Sequence, residues 1–174
     1  MKQIMFSGIG GQGVILAANI LARSAVKEGF YSAQSQAYGS ESRGTTTRAE
    51  VIVAKDFVDF PHVEKADYFV VMAEAGLKLF KDKLSEDAVV IYDGSVFKPE
   101  KKAGKEMIDI SATELSLNNF EKPLFANIIM IGALIKKSGV VSIDTIKKVL
   151  KEVLPDKAYD TNIEALELGY NKIS

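Results

Sequence analysis

Apolar positions along the chain change rhythm several times, and each change predicts an element. Gln3 to Ser7 forms a short apolar burst of buried-strand type, after which Val14, Ala17, Ala18, Leu21 and Ala25 recur at helical spacing until Gly29 supplies a stop. Phe30 to Ala37 predicts a second strand, and Ala49, Val51 and Val53, alternating with Arg48, Glu50 and Ile52, a third. Tyr68 to Met72 and Val89 to Tyr92 read as buried strands separated by a helix around Glu74 to Phe80. A polar loop over Lys98 to Glu106 precedes a last short strand at Met107 to Ile110, and the remainder reads as helical. Phe125, Ile128, Ile129, Met130, Ile131, Leu134 and Ile135 surround one helix with apolar groups, with its end at Lys136, Lys137 and Gly139. Ser142 is the expected N-cap of the next helix, striped by Ile143, Ile146, Val149, Leu150 and Val153 and followed by Pro155. Strands alternating with helices predict an α/β fold: a single open, mostly parallel sheet flanked by helices, with a Rossmann-like start and a helical C-terminal part.

Composition narrows the chemistry. The chain has 174 residues, 47% apolar and 26% charged, which fits one domain spanning residues 1–174. With 22 basic against 23 acidic residues the net charge is -1, so no field exists to hold nucleic acid or an anionic membrane. There is no cysteine, which excludes disulfides, a thiolate nucleophile and a cysteine-ligated iron-sulfur cluster in this chain. One histidine, His62, cannot make a multi-histidine metal site, and lacking a visible partner it reads as a surface or loop residue. The apolar opening from Met1 to Ser7 is too short for a secretory segment and the run from Phe125 to Ile135 too short to span a bilayer, so a cytoplasmic location is expected.

Two constellations could carry chemistry. Gly8, Ile9, Gly10, Gly11, Gln12 and Gly13 match G-x-G-x-x-G between a strand and a helix, where backbone N–H groups and the helix dipole favour an anion. The dinucleotide version also needs an acidic residue at the end of the second strand, and Ser32, Ala33, Gln34, Ser35 and Gln36 stand there instead; Glu28 precedes the closing glycine. A tight turn without ligand stays open as an alternative. Tyr38 to Arg48 is rich in hydroxyl and guanidinium donors, suited to phosphate, carboxylate or a partner surface, or else a solvated turn with Glu41 paired to an arginine. Asn127, alone among apolar neighbours, is expected to make a helix-to-loop hydrogen bond. Asp93-Gly94 with Asn118-Asn119 mimics a thiamine diphosphate motif, but Tyr92 replaces its first glycine.

Taken together, Gly8 to Val14, the run from Ala37 through Gly44 into Arg48-Ala49-Glu50-Val51, and Ala126-Asn127-Ile128-Ile129 with Gly132-Ala133-Leu134 resemble the gamma subunit of 2-oxoacid:ferredoxin oxidoreductases over nearly the whole chain. The Tyr-Gly opening of the middle motif is closer to the 2-oxoglutarate type than to the pyruvate type, while Ser40 and Thr45 depart from the usual proline and glycine. The resemblance implies a subunit of a complex that converts a 2-oxoacid and coenzyme A to acyl-CoA, here succinyl-CoA, and carbon dioxide, and passes electrons to ferredoxin or a similar acceptor. Thiamine diphosphate, magnesium and iron-sulfur clusters would lie on the alpha, beta and delta partner subunits, with no cofactor held firmly by this chain and no catalytic residue in it. Its expected share is coenzyme A binding, through Gly8, Gly10, Gly11, Gln12, Gly13, Ser40, Glu41, Arg43 and Gly44, together with subunit assembly. A purely architectural subunit and a stand-alone nucleotide-binding enzyme are the competing readings.

Overall fold

A computed structural model describes residues 1–37 and 45–173. Strands β1 (Lys2–Ile9), β2 (Tyr31–Ala37), β3 (Thr46–Ala54), β4 (Ala66–Val71), β5 (Leu84–Tyr92) and β6 (Glu106–Asp109) form one sheet in the order β2-β3-β1-β4-β5-β6. β1, β4, β5 and β6 pair in parallel, and β3 runs against both β1 and β2, so β2 points the same way as β1 and only β3 is reversed. The mostly parallel α/β sheet expected from the alternation of patterns is therefore present. What periodicity could not supply is the position of β3, which lies between β1 and β2, whereas the dinucleotide fold pairs the corresponding two strands directly.

Side-chain alternation sorts the sheet into two faces. Ile4 and Phe6 of β1, with Val51 of β3, Val70 of β4 and Ile91 of β5, face the larger core. Over it lie α1 (Val14–Lys27), α3 (Ala112–Phe120), α4 (Ala126–Ser138), α5 (Ile143–Val153) and α6 (Asp156–Lys172), each contributing buried residues to that core or packing on it. Met5, Ile52, Phe69, Val71 and Val90 face the smaller core, covered by α2 (Glu74–Phe80) and loop residues such as Val58, Val63 and Phe97. α4 is buried at every position from Ala126 to Ile135, as its all-round apolar sequence requires. It meets α6 so closely that a methyl group at Gly169 would stand 1.8 Å from the carbonyl oxygen of Ile129.

Helix ends follow the punctuation in the sequence. Gly139 adopts the left-handed conformation that closes α4, and Ser142 caps α5 by accepting the Thr145 N–H at 3.2 Å. β3 starts at Thr46, earlier than its alternating pattern suggests, and β5 at Leu84, where the consecutive Glu86 and Asp87 are both exposed. Thr46, Thr47 and Arg48 are thus strand residues and not loop donors.

Candidate functional site

β1 feeds directly into the glycine turn, and the turn is held from three sides. The Gly10 N–H donates to the Thr45 carbonyl at 3.0 Å, which ties the turn to the start of β3. The Gln12 side chain then acts as a strap: its Oε1 accepts the Ile9 N–H at 2.8 Å and its Nε2 donates to the Met72 carbonyl just beyond β4 at 3.0 Å. Asn127, buried in α4, donates to the Gly13 carbonyl at 3.2 Å, the helix-to-loop bond expected of it. The fit is close enough that a Cβ on Gly13 would approach Asn127 Nδ2 to 2.3 Å, and Gly13 itself has φ +72°.

This bracing fixes the first turn of α1 without consuming its donors. No side chain caps the helix, and the amides of Gly11, Gly13 and Val14 have no partner among the described residues. Gly11 has φ +98° with open space where a side chain would project. A hollow of about 300 Å³ adjoins it, with Gly11, Gln12, Met72, Val96, Thr113 and Leu124 in its wall. Gly11 and Gln12, Met72, Val96 and Thr113 follow the carboxyl ends of β1, β4, β5 and β6 in turn, and Leu124 precedes α4; α/β sheets commonly bind ligands at this end, beside a change of chain direction. Val96 and Leu124 in that wall remain substantially exposed, as do Ile9 of β1 and Leu16 of α1 on the elements that flank the turn.

Ser40, Glu41, Arg43 and Gly44 lie outside the described residues, but the flanking residues Ala37 and Thr45 stand at the same end of the sheet as the glycine turn. Gly8, Gly10, Gly11, Gln12 and Gly13 are brought together, although Gln12 uses its side-chain amide internally. The β2 end, one strand removed from β1, offers Ser35, Gln36 and Ala37 and no carboxylate, and the Glu28 carboxylate accepts the Ser142 N–H at 2.7 Å. Neither could take a ribose hydroxyl pair at the turn.

The thiamine-like motif is structural. Asp93 is fully buried, with Oδ1 accepting the N–H and hydroxyl of Ser95 and Oδ2 accepting those of Thr113 at 2.9 and 2.6 Å. Its oxygens hold β5 to the start of α3, and the Asn119 amide donates to Leu115 within α3, so these residues do not fit a magnesium diphosphate. Among the described residues no group of three His, Asp or Glu could hold a metal. Asp109 accepts the N–H groups of Gly94 and Ser111 and the ammonium of Lys98; burial opposes its charge, but the Lys98 and Ser111 hydrogen bonds hold its carboxyl below the usual range.

One cluster escaped the sequence reading. Glu50, 1% exposed, has Arg48 Nε 3.2 Å from Oε1 without hydrogen-bond alignment, His62 Nδ1 3.5 Å from Oε2 and Lys83 Nζ 3.8 Å from Oε1. Oε2 also accepts from Ser35 and the Val63 amide. His62 is in a loop as expected, yet it has a charged partner and an edge-on contact with Phe60.

The matches to known proteins agree with this geometry. Residues 3–172 match the family model described as pyruvate ferredoxin/flavodoxin oxidoreductase. The chain belongs to that family. It is 33% identical to 2-oxoglutarate synthase subunit KorC of Methanocaldococcus jannaschii, over 97% of this chain and 92% of that protein. It is 35% identical to pyruvate synthase subunit PorC of Methanothermobacter marburgensis, over 99% and 98%. The crystal structure of the keto/oxoacid ferredoxin oxidoreductase gamma subunit from Geobacter sulfurreducens superposes with a TM-score of 0.84 at 28% identity, covering 99% of this chain and 98% of that one. The gamma-subunit resemblance is borne out, and within the family the chain is of the gamma type of 2-oxoacid:ferredoxin oxidoreductases. No described helix is long and apolar enough to cross a membrane.

Proposed function

We propose that this chain is the gamma subunit of a complex oxidising 2-oxoglutarate with coenzyme A to succinyl-CoA and carbon dioxide, electrons passing to ferredoxin or a related acceptor. Alpha, beta and delta partners carry thiamine diphosphate, magnesium and the clusters, and this chain contributes a coenzyme A phosphate site and part of the assembly surface. The observation that carries the reading is the braced glycine turn: amides at a helix N-terminus without a partner among the described residues, open space at Gly11, and a hollow beyond the carboxyl ends of β1, β4, β5 and β6. Gly8, Gly10 and Gly13 give the backbone its path, Gln12 straps it, and Ser40, Glu41, Arg43 and Gly44 form the second part of the site, with Arg43 the anchor because its planar fork suits phosphate. The Tyr38-Gly39 opening favours 2-oxoglutarate over pyruvate by resemblance.

The exposed apolar side chains of Val96 and Leu124 in the wall of the hollow, with Ile9 and Leu16 exposed on the elements flanking the turn, favour a second reading, in which the turn serves only a subunit contact. Gly11→Asp and Gly11→Asn, assembled into the complex, separate the two. Both impose similar backbone strain, but the aspartate adds a negative charge beside the amides. The ligand reading expects the coenzyme A KM to rise about tenfold further for aspartate than for asparagine, with assembly equal. Equal KM values in assembled variants would leave the scaffold role alone.

A further inference from the structure

The two edges of the sheet are built differently. β6 is four residues long, with Glu106 and Asp109 engaged by Lys137 and Lys98, the short, charged edge that discourages further pairing. β2 runs seven residues, Tyr31–Ala37, in unbroken register with β3, without charge, proline or bulge, and among the described residues no strand lies beyond it. Beside it, on the α1 face, is a hollow of about 430 Å³ lined by Ser32 and Gln34 together with Arg23, Val26 and Lys27 of α1 and Glu152 of α5. Ser32 Oγ is buried there without a hydrogen-bond partner. On the opposite face Tyr31 stands edge-on to Phe57, 51% and 73% exposed respectively.

We infer that the β2 edge accepts an extended segment of a partner protein as a seventh strand, its side chains alternately acidic toward α1 and apolar toward Tyr31 and Phe57. Main-chain pairing supplies affinity and the two faces supply selectivity. Charge decides the occupant. Lys27 is already paired with Glu152, whereas Arg23 has no ion-pair partner among the described residues and calls for an acid. A second copy of this chain, pairing antiparallel about a two-fold axis, would place both α1 helices on one face and bring a second unpaired Arg23, not an acid, to that side of the junction.

The test uses the full chain and fluorescent heptapeptides in which valine alternates with glutamate or with lysine, read by anisotropy. The glutamate peptide is expected to saturate below about 1 mM, and the lysine peptide to bind at least about fivefold more weakly. N-methylation of alternate amides in the glutamate peptide should abolish binding, and Arg23→Glu should reverse the preference. Absence of saturation, indifference to N-methylation, or an order unchanged by Arg23→Glu overturns the inference. So does a dimer in sedimentation equilibrium whose Gln34→Cys variant crosslinks to itself, since the occupant would then be a second copy.

Discussion

Single residues decide what the glycine turn can offer. Gln12 looks from its position like a ligand contact, yet its amide is bonded to Met72, 60 residues away, while Asn127 makes the helix-to-loop bond expected of it, to Gly13, 114 residues away. The partners are invisible to spacing because only the topology brings them together. The same holds for Glu50, whose basic neighbours come from β3, from the loop after it and from the residues before β5. Removing it as Glu50→Ala strands Arg48 beside Phe80 without its counter-ion and is expected to lower stability by about 3 kcal/mol, measured by urea unfolding. Glu28 gives a pH-dependent counterpart. Burial would raise its pKa, but the hydrogen bonds from Ser142 and Thr145 outweigh that and leave it below the ordinary 4.5. A depressed carboxylate stabilises the fold above its unfolded pKa and loses that contribution as pH falls through the folded value. The stability difference between the native chain and Glu28→Gln should therefore be full near neutrality and vanish in the acid range below 4.5.

At the scale of elements, most of the architecture was legible. Helical spacing gave α1, α4 and α5, Gly29 and Gly139 marked two ends through positive φ, and Ser142 capped as its side chain allows. Strand order was not legible, since β3 has the same alternation whether it lies beside β1 or at an edge. Nor was the intimacy of α4 and α6, because a glycine inside a helix reads first as a weakness. Here it is what lets the backbones touch. Gly169→Ala is expected to destabilise by about 3 kcal/mol, as the added methyl has only the Ile129 carbonyl to displace. A thermal melt unchanged by that substitution would show that α6 can slide without loss.

For the whole molecule, the division of labour within the family sets the expectation. With no cysteine, and with Asp93 locked to Ser95 and Thr113, the purified chain alone should not turn over 2-oxoacids with coenzyme A, thiamine diphosphate and a viologen acceptor. Appreciable turnover would contradict the subunit role. NAD and NADP should give no heat in calorimetric titration, because the end of β2 carries no acid and is separated from the turn by β3.

The reversed strand β3 also has a consequence for how the chain matures on the ribosome. Of the six strands of the sheet β1 is synthesised earliest, but its two neighbours are β3 and β4, which end at residues 54 and 71. Its apolar Ile4, Met5 and Phe6 must wait, uncovered, until both have emerged. β2 and β3, adjacent in sequence, can close as a local hairpin first and offer β1 a template. The glycine turn, tied to Thr45 and Met72, would then take its final form only after Met72 is free, so of the six strands β1 waits longest for both of its neighbours.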